Sequence, residues 1–352
     1  MSRFVRPELG NLVEYTLAQY ECRIKLNQNE NPHELPDALK REILDRMAGE
    51  RWSRYPTFVP ARHTELVANF VRWKPEGVLL GNGSNELLQL LFTCVLGPGK
   101  GVVLSQPTFT LYKLLAQCLG AAIHEVPMHV PFSFDVGALI DTARRSDASL
   151  VVVCSPNNPT GTQMSRADLV EILKATSALV VVDEAYVQFA DMSVVELLST
   201  HENLVVLQTF SKAMAAAGLR FGYGLMDPGL ARQLNKAKLP YAVNTFTLIA
   251  AEVLMRRWND LRGWIDGIRA ERERVWASLN AIEGIEASTS SANFLLFETS
   301  GKPPASVFAG LREEGILIRD VSSYPMLERG LRVSIGLPEE NDAFLSALRR
   351  AL

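Results

Sequence analysis

Leu150-Val-Val-Val-Cys154-Ser-Pro-Asn-Asn158-Pro-Thr-Gly161 is the stretch on which the fold turns. Its first five residues are apolar without alternation, so they read as a strand buried on both faces, the habit of a parallel or mostly parallel sheet. The run then breaks into two prolines, two asparagines and a glycine, an irregular loop at the strand's carboxyl end. In α/β sheets ligands bind at that edge. The side-chain amide of Asn157 or Asn158 is a candidate donor to a ligand oxygen, with a plain Asx-type turn as the alternative.

The same texture recurs on either side. Residues 102–105, 122–126, 179–183, 204–208 and 221–225 are further short, mostly apolar strand candidates, and amphipathic segments at 85–96, 111–119 and 166–175 lie between them. That alternation is the sequence form of an α/β layered domain. After Pro240 the pattern changes. Residues 245–280 show helix periodicity with a charged, solvated face that includes Arg256, Arg269 and Arg274. Strand candidates follow at 293–297, 316–319 and 331–335, with helices at 305–314 and 339–352, which together describe a smaller α+β domain. A chain of 352 residues exceeds what one core usually holds. The expected division is an N-terminal arm and helix (1–48) contributing to the small domain, a large domain (49–245) and a small C-terminal domain (246–352). The helix at 35–47 is expected to pack on the small domain.

Composition narrows the function classes. The chain is 47% hydrophobic and 21% charged, with a formal net charge of −3 from 36 basic and 39 acidic side chains. A nucleic-acid or anionic-membrane binder would carry a basic excess, so neither partner is expected. No apolar run approaches the roughly 18 residues of a membrane span, and Arg3, Arg6, Glu8 and Glu14 punctuate the first twenty residues, so no signal peptide is expected. Cys22, Cys94, Cys118 and Cys154 are scattered and form no Cys-x-x-Cys pair, the usage of reduced thiols in a cytoplasmic protein. The five histidines are too dispersed to suggest a metal site.

Three further motifs carry chemistry. Gly81-Asn-Gly-Ser-Asn-Glu86 opens a helix whose first amides can hold a phosphate, or it is a tight turn capped by Ser84. It is not a dinucleotide fingerprint, because Glu86 stands where the third glycine would be. In Leu179-Val-Val-Val-Asp183-Glu184-Ala185-Tyr186 a carboxylate falls at the end of a buried strand, where it needs a cation or a donor. In Thr209-Phe-Ser211-Lys212, followed by Ala213-Met-Ala-Ala-Ala-Gly218-Leu-Arg220, a lysine is enclosed among small residues that leave room for a ligand. Desolvation lowers such a lysine's pKa and makes it a candidate Schiff-base former or general base. Arg220 offers a fork for a phosphate.

Taken in order, these motifs resemble one family. With Leu26-Asn-Gln-Asn29-Glu30-Asn31-Pro32, Arg54-Tyr55-Pro56, Gln106-Pro-Thr-Phe109 and Leu331-Arg332-Val-Ser-Ile-Gly336, the chain resembles over nearly its whole length the fold-type I pyridoxal 5′-phosphate aminotransferases, most specifically the histidinol-phosphate aminotransferases. The resemblance implies a large domain with a mostly parallel seven-stranded sheet between helices, a smaller α+β domain, and a cytoplasmic homodimer with shared active sites. It implies that Lys212 holds the cofactor and then acts as base, and that Asp183 pairs with the pyridinium nitrogen. Asn158 and Tyr186 would donate to the ring O3′, and Phe109 would stack on the ring where the family often has tyrosine. The phosphate would rest on the amides around Ser84 and Asn85, helped by Thr209, Ser211 and Arg220, with Tyr55 reaching it from the partner subunit. Asn85 departs from the family's usual aspartate, which leaves any role of that carboxylate open. Arg332 would grip the substrate's anion, with Tyr20, Asn29 and Arg319 as further substrate contacts. The implied reaction is transamination between L-histidinol phosphate and 2-oxoglutarate in histidine biosynthesis. An aromatic aminotransferase or a threonine-phosphate decarboxylase on the same scaffold would share every cofactor residue. A ligand-sensing regulator would carry a DNA-binding segment ahead of Asn27, where no room for one is expected.

Overall fold

The computed structural model describes residues 4–6, 9, 10, 12 and 20–352; the rest of the N-terminal arm lies outside the described residues. Strands are β1 (Ile24–Lys25), β2 (Val78–Gly81), β3 (Gly101–Gln106), β4 (Ala122–Pro127), β5 (Leu150–Cys154), β6 (Leu179–Asp183), β7 (Leu204–Thr209), β8 (Gly222–Met226), β9 (Ile285–Ala287), β10 (Phe294–Thr299), β11 (Ile316–Leu317), β12 (Arg319–Asp320) and β13 (Gly330–Ser334). Helices are α1 (Asp37–Ala48), α2 (Ala61–Val71), α3 (Ser84–Val95), α4 (Leu111–Cys118), α5 (Val136–Arg145), α6 (Arg166–Ala175), α7 (Pro228–Leu234), α8 (Thr245–Arg256), α9 (Trp258–Leu261), α10 (Gly263–Asn280), α11 (Pro304–Glu313) and α12 (Pro338–Ala351).

Among the described residues, β2 to β8 form one seven-stranded sheet in the order β2-β8-β7-β6-β5-β3-β4. The β3/β4, β3/β5, β5/β6 and β6/β7 pairs are parallel, and β8 runs antiparallel to both its neighbours. The unbroken apolar runs follow from layers on both faces. Val151 and Val153 enter one core with Val180, Val182 and Val206, while Leu150, Val152 and Cys154 enter the opposite core with Val181, Val205 and Leu207. Successive side chains point to opposite faces, so a strand between two cores has no polar side to show. Each fully buried valine or leucine contributes about 1.5–3 kcal/mol relative to exposure.

The strand order reverses between β3 and β5, because the chain first steps outward to β4 and then returns past β3 to build β5, β6 and β7. A crevice therefore opens at the carboxyl ends of these strands. Gln106-Pro-Thr-Phe109, Ser155-Pro-Asn-Asn158, Asp183 and Lys212 all emerge there.

The second unit is an antiparallel sheet in the order β12-β13-β10-β9. Its core joins Phe294, Phe297, Leu331 and Val333 to Ile268 and Leu279 of α10, Leu311 of α11 and Phe344 and Leu348 of α12. The N-terminal segment does join this unit, but through a strand: β1 pairs in parallel with β11, and Ile24 and Leu26 enter the small core. The helix expected to dock there does not. Leu39 and Ile43 of α1, with Leu35 before it, bury in the large core, where α1 meets α8. Their spacing by four residues makes one apolar stripe, and α8 presents an apolar surface around Leu248, Val253 and Leu254 to receive it.

Two further expectations are modified. The helical stretch 245–280 is three helices, because α8 fills the large core and most of α10 the small one, with the changeover between Leu261 and Ile265 rather than at 245/246. The strand expected at 316–319 divides at Ile318: β11 pairs with β1, and β12 with β13.

Candidate active site

A cavity of about 440 Å³ lies at the switch point, walled by the carboxyl ends of β5, β6 and β7, the start of α3, the Asn27–Glu30 segment and the small sheet. It gathers Asn29, Ser84, Asn85, Phe109, Asn158, Asp183, Tyr186, Thr209, Ser211, Lys212, Arg220, Arg319 and Arg332. Two sequence candidates stand elsewhere. Tyr20 stacks beneath the Arg312 guanidinium, 4.7 Å from the ring centre, and Tyr55 is 81% exposed and stacks on Tyr241 at 4.6 Å.

Lys212 follows the end of β7 and is half-buried in the cavity wall. Burial, with the nearby Arg332 charge second, pulls its ammonium down to about 7. Its Nζ donates to the Gln28 carbonyl at 2.8 Å. Asp183 is the last residue of β6. Its Oδ1 accepts from the Ala185 amide at 3.1 Å, and its Oδ2 accepts from the Tyr112 hydroxyl at 2.7 Å. Burial still raises its pKa above the ordinary carboxylate value.

Tyr186 is buried, and its hydroxyl oxygen accepts from Asn29 Nδ2 at 3.1 Å, so its own hydrogen can be given to a ligand. Asn29 is held in turn by the Ser334 hydroxyl and by Asn293, which ties the Asn27–Glu30 segment to the small sheet. Asn158 accepts from Arg332 Nη1 at 2.5 Å through Oδ1, which leaves its NH2 group as a donor. Asn157, the other candidate of that loop, is structural: it donates to the Pro107 carbonyl and to Thr160 Oγ1, and accepts from Thr108.

The floor is built by close approach. Gly83 caps α3 at φ 80° and ψ 162° with no side-chain cap, so the first amides of the helix are left for another acceptor. A Cβ on Gly83 would sit 2.2 Å from Arg220 Nη2, and one on Gly222 would sit 2.3 Å from the Ser84 amide nitrogen. Arg220 itself holds a left-handed φ of 57° and donates to Ser211 Oγ and the Ala217 carbonyl. Thr209 and Ser211 hydroxyls lie 2.9 Å apart beside it. Helix amides, two hydroxyls and a guanidinium around one hollow form an anion cradle.

The family model for aminotransferase class I and II matches residues 23–348. The chain is also 40% identical over 348 residues to the histidinol-phosphate aminotransferase of Chlorobaculum tepidum, covering 98% of this chain and 99% of that protein. The chain belongs to the class I and II aminotransferases, among the histidinol-phosphate aminotransferases. A second relative of that name, from Chlorobium limicola, is 38% identical over 98% of this aminotransferase and 97% of its own length. In fold, it matches the crystal structure of histidinol-phosphate aminotransferase from Sinorhizobium meliloti in complex with pyridoxal 5′-phosphate, with a TM-score of 0.90 at 24% identity, covering 100% of this chain and 98% of that one.

Membership of this family implies pyridoxal 5′-phosphate as cofactor, and the residues present suit it. A buried carboxylate destabilised by desolvation suits a cationic ring nitrogen, a lysine depressed to about 7 suits an aldehyde, and the glycine-floored cradle suits a phosphate. Among the described residues no group of three or more His, Cys, Asp or Glu is placed to hold a metal, and no helix is long and apolar enough to cross a membrane. Sequence reasoning missed Tyr112 and Tyr324 in the cavity wall. Tyr112 had a signal, since it stands one helical turn after Phe109. Tyr324 had none, being carried in by a loop of the small unit.

Proposed function

We propose that this aminotransferase exchanges an amino group between L-histidinol phosphate and 2-oxoglutarate, giving imidazole acetol phosphate and L-glutamate in histidine biosynthesis. The observation that carries the substrate class is the juxtaposition of two arginines. Arg319 and Arg332 are direct cross-strand partners of β12 and β13, and both line the cavity. Like charges placed opposite one another on a sheet are destabilising, and an anionic substrate offsets that cost. Planar guanidinium forks accept a phosphate or a carboxylate alike, so one site can take both reactants in turn. The name shared by relatives at 38–40% identity supports the same assignment.

When bound, the cofactor supplies a reactive aldehyde and an electron sink for carbanion chemistry. Lys212 holds the cofactor, and its Nζ takes the substrate's α-proton; a base near 7 is neutral for much of its time at ordinary cell pH. Asp183 holds the proton on the ring nitrogen, while Asn158 and Tyr186 donate to the ring hydroxyl. Phe109 covers a ring face. Ser84, Asn85, Thr209, Ser211 and Arg220 hold the phosphate, with the backbone amide as the donor at Asn85. Asn29 acts through Tyr186 and Ser334 rather than on substrate, and Arg332 orients the substrate's anion while braced by Asn158.

The enzyme works as a cytoplasmic homodimer. Trp52, Tyr55, Phe58, Val59, Leu239 and Tyr241 are all exposed, and Tyr55 and Phe58 both pack on Tyr241. Such an apolar grouping suits a partner surface, and it would carry Tyr55 toward the partner's phosphate site. Tyr20 lies on the small unit's surface beside Phe308 and stands as a further candidate substrate contact. The deciding experiment presents the purified holoenzyme with histidinol phosphate, phenylpyruvate and threonine phosphate. Turnover is expected with histidinol phosphate and 2-oxoglutarate; its absence would refute the assignment.

A further inference from the structure

We propose that Tyr112 is a positioning residue for Asp183, its hydroxyl fixing the carboxylate's orientation and holding it ionised toward the cofactor's ring nitrogen. The inference rests on the reading of Asp183 as the ring nitrogen's partner.

Tyr112 is 0% exposed, in the first turns of α4. A phenol so placed is costly unless its hydroxyl is bonded. Its donation to Asp183 Oδ2 at 2.7 Å is a charge-assisted bond. It is the one side-chain hydrogen bond Asp183 receives among the described residues, and the Ala185 amide secures the other oxygen. Two donors on two oxygens define the plane of the carboxylate. Tyr112 also meets Phe109 edge-on, at 5.6 Å and 89°. One helical turn thus presents both the ring assigned to cover the cofactor and the hydroxyl that aims its counter-charge.

The bond also bears on the carboxylate's charge. Burial is the dominant influence on Asp183 and pushes toward the protonated form; the Tyr112 hydroxyl is first among the influences opposing it, followed by the Ala185 amide and then the Lys212 charge. Cys154 on β5 also faces Asp183, its thiol pushed up to about 12 by burial and so neutral. Glu184 and Tyr186, on the same segment, are likewise shifted toward their neutral forms by burial, and the Glu184 carboxylate is engaged by Ser193, the Val194 amide and Gln208. Among the side chains of the described residues, only Tyr112 donates a hydrogen bond to the Asp183 carboxylate.

The test uses holoenzyme carrying Tyr112→Phe, Asp183→Asn and both. Phenylalanine keeps the ring packing and removes only the donor. We expect Tyr112→Phe to weaken cofactor binding roughly tenfold. The pH midpoint of the bound cofactor's visible band should rise by about one unit, since a carboxylate that has picked up a proton no longer keeps the ring nitrogen charged. kcat should fall with little change in KM. In the Asp183→Asn background the tyrosine substitution should add nothing, and Tyr112→His, which restores a donor, should recover part of the midpoint shift. An unchanged midpoint and affinity in Tyr112→Phe, or effects that add in full to those of Asp183→Asn, would overturn the inference. Asp183→Asn with native affinity and midpoint would instead overturn the reading of Asp183.

Discussion

Replacing Gly83 by alanine separates two costs that the structure keeps apart. The residue's φ of 80° and ψ of 162° lie in a region essentially reserved for glycine, where another residue costs on the order of 1–3 kcal/mol. That term falls on folding. At about 1.4 kcal/mol per tenfold, it lowers the folding constant by roughly 5- to 150-fold. The second cost falls on the cofactor. The new Cβ would meet Arg220 Nη2 at 2.2 Å and Cζ at 3.0 Å, the far end of a flexible side chain. The guanidinium can swing away, so the clash adds little to stability, but it leaves the anion cradle. Losing one hydrogen bond to a charged group costs about 1.5–3 kcal/mol, or roughly 10- to 150-fold in cofactor affinity. Urea unfolding of the apoprotein measures the first cost, and spectral titration with pyridoxal 5′-phosphate the second. In an Arg220→Ala background the affinity penalty of Gly83→Ala should largely vanish while the stability penalty remains. If the affinity penalty persists in full there, or if Gly83→Ala binds cofactor as the native protein does, the account of the cradle is wrong.

Two more outcomes follow from the same geometry. The rate at which apoprotein captures pyridoxal 5′-phosphate should rise with pH through a midpoint near 7, because the neutral amine is the nucleophile and burial holds Lys212 at about 7. An unshifted lysine would be neutral to only about one part in a thousand at pH 7.5, so a midpoint above about 9, followed by visible absorbance, would contradict the burial argument. Ile43→Ala should destabilise the protein by about 2–5 kcal/mol, because that side chain is 3% exposed in the large core. Leu44→Ala, at an exposed neighbour, should change stability by no more than about 0.5 kcal/mol; equal effects in denaturant midpoint would mean that α1 is not docked on α8.

Local chemistry makes most of the cofactor end of the site legible in the sequence. A run such as Val151–Val153 has no polar face, so it demands two cores, and the Asn-rich break after it demands a loop at the ligand edge. Asp183 and Lys212 announce themselves because a charge at the end of a buried strand must meet a partner. The elements misread are those whose position depends on a competitor. The stripe of Leu35, Leu39 and Ile43 declares an amphipathic helix, yet either core could accept it, and α8 does. The break at Ile318 is set by β1, which lies some 290 positions earlier in the chain and takes Ile316 and Leu317 for itself.

Periodicity and desolvation act over a few neighbouring residues. The order of residues is therefore enough to specify a parallel-rich α/β layering, a second small unit, and a site that combines a lysine set among small residues, a strand-end carboxylate and a helix start able to hold a phosphate; the cofactor itself is what the family resemblance implies. Folding in three dimensions adds that Arg319 and Arg332 face each other across a strand pair, that Asn29 reaches Tyr186, and that Tyr112 bonds Asp183 from 71 residues away. These are contacts between distant segments. They are set by strand order and register, which emerge only when every buried face has found its partner.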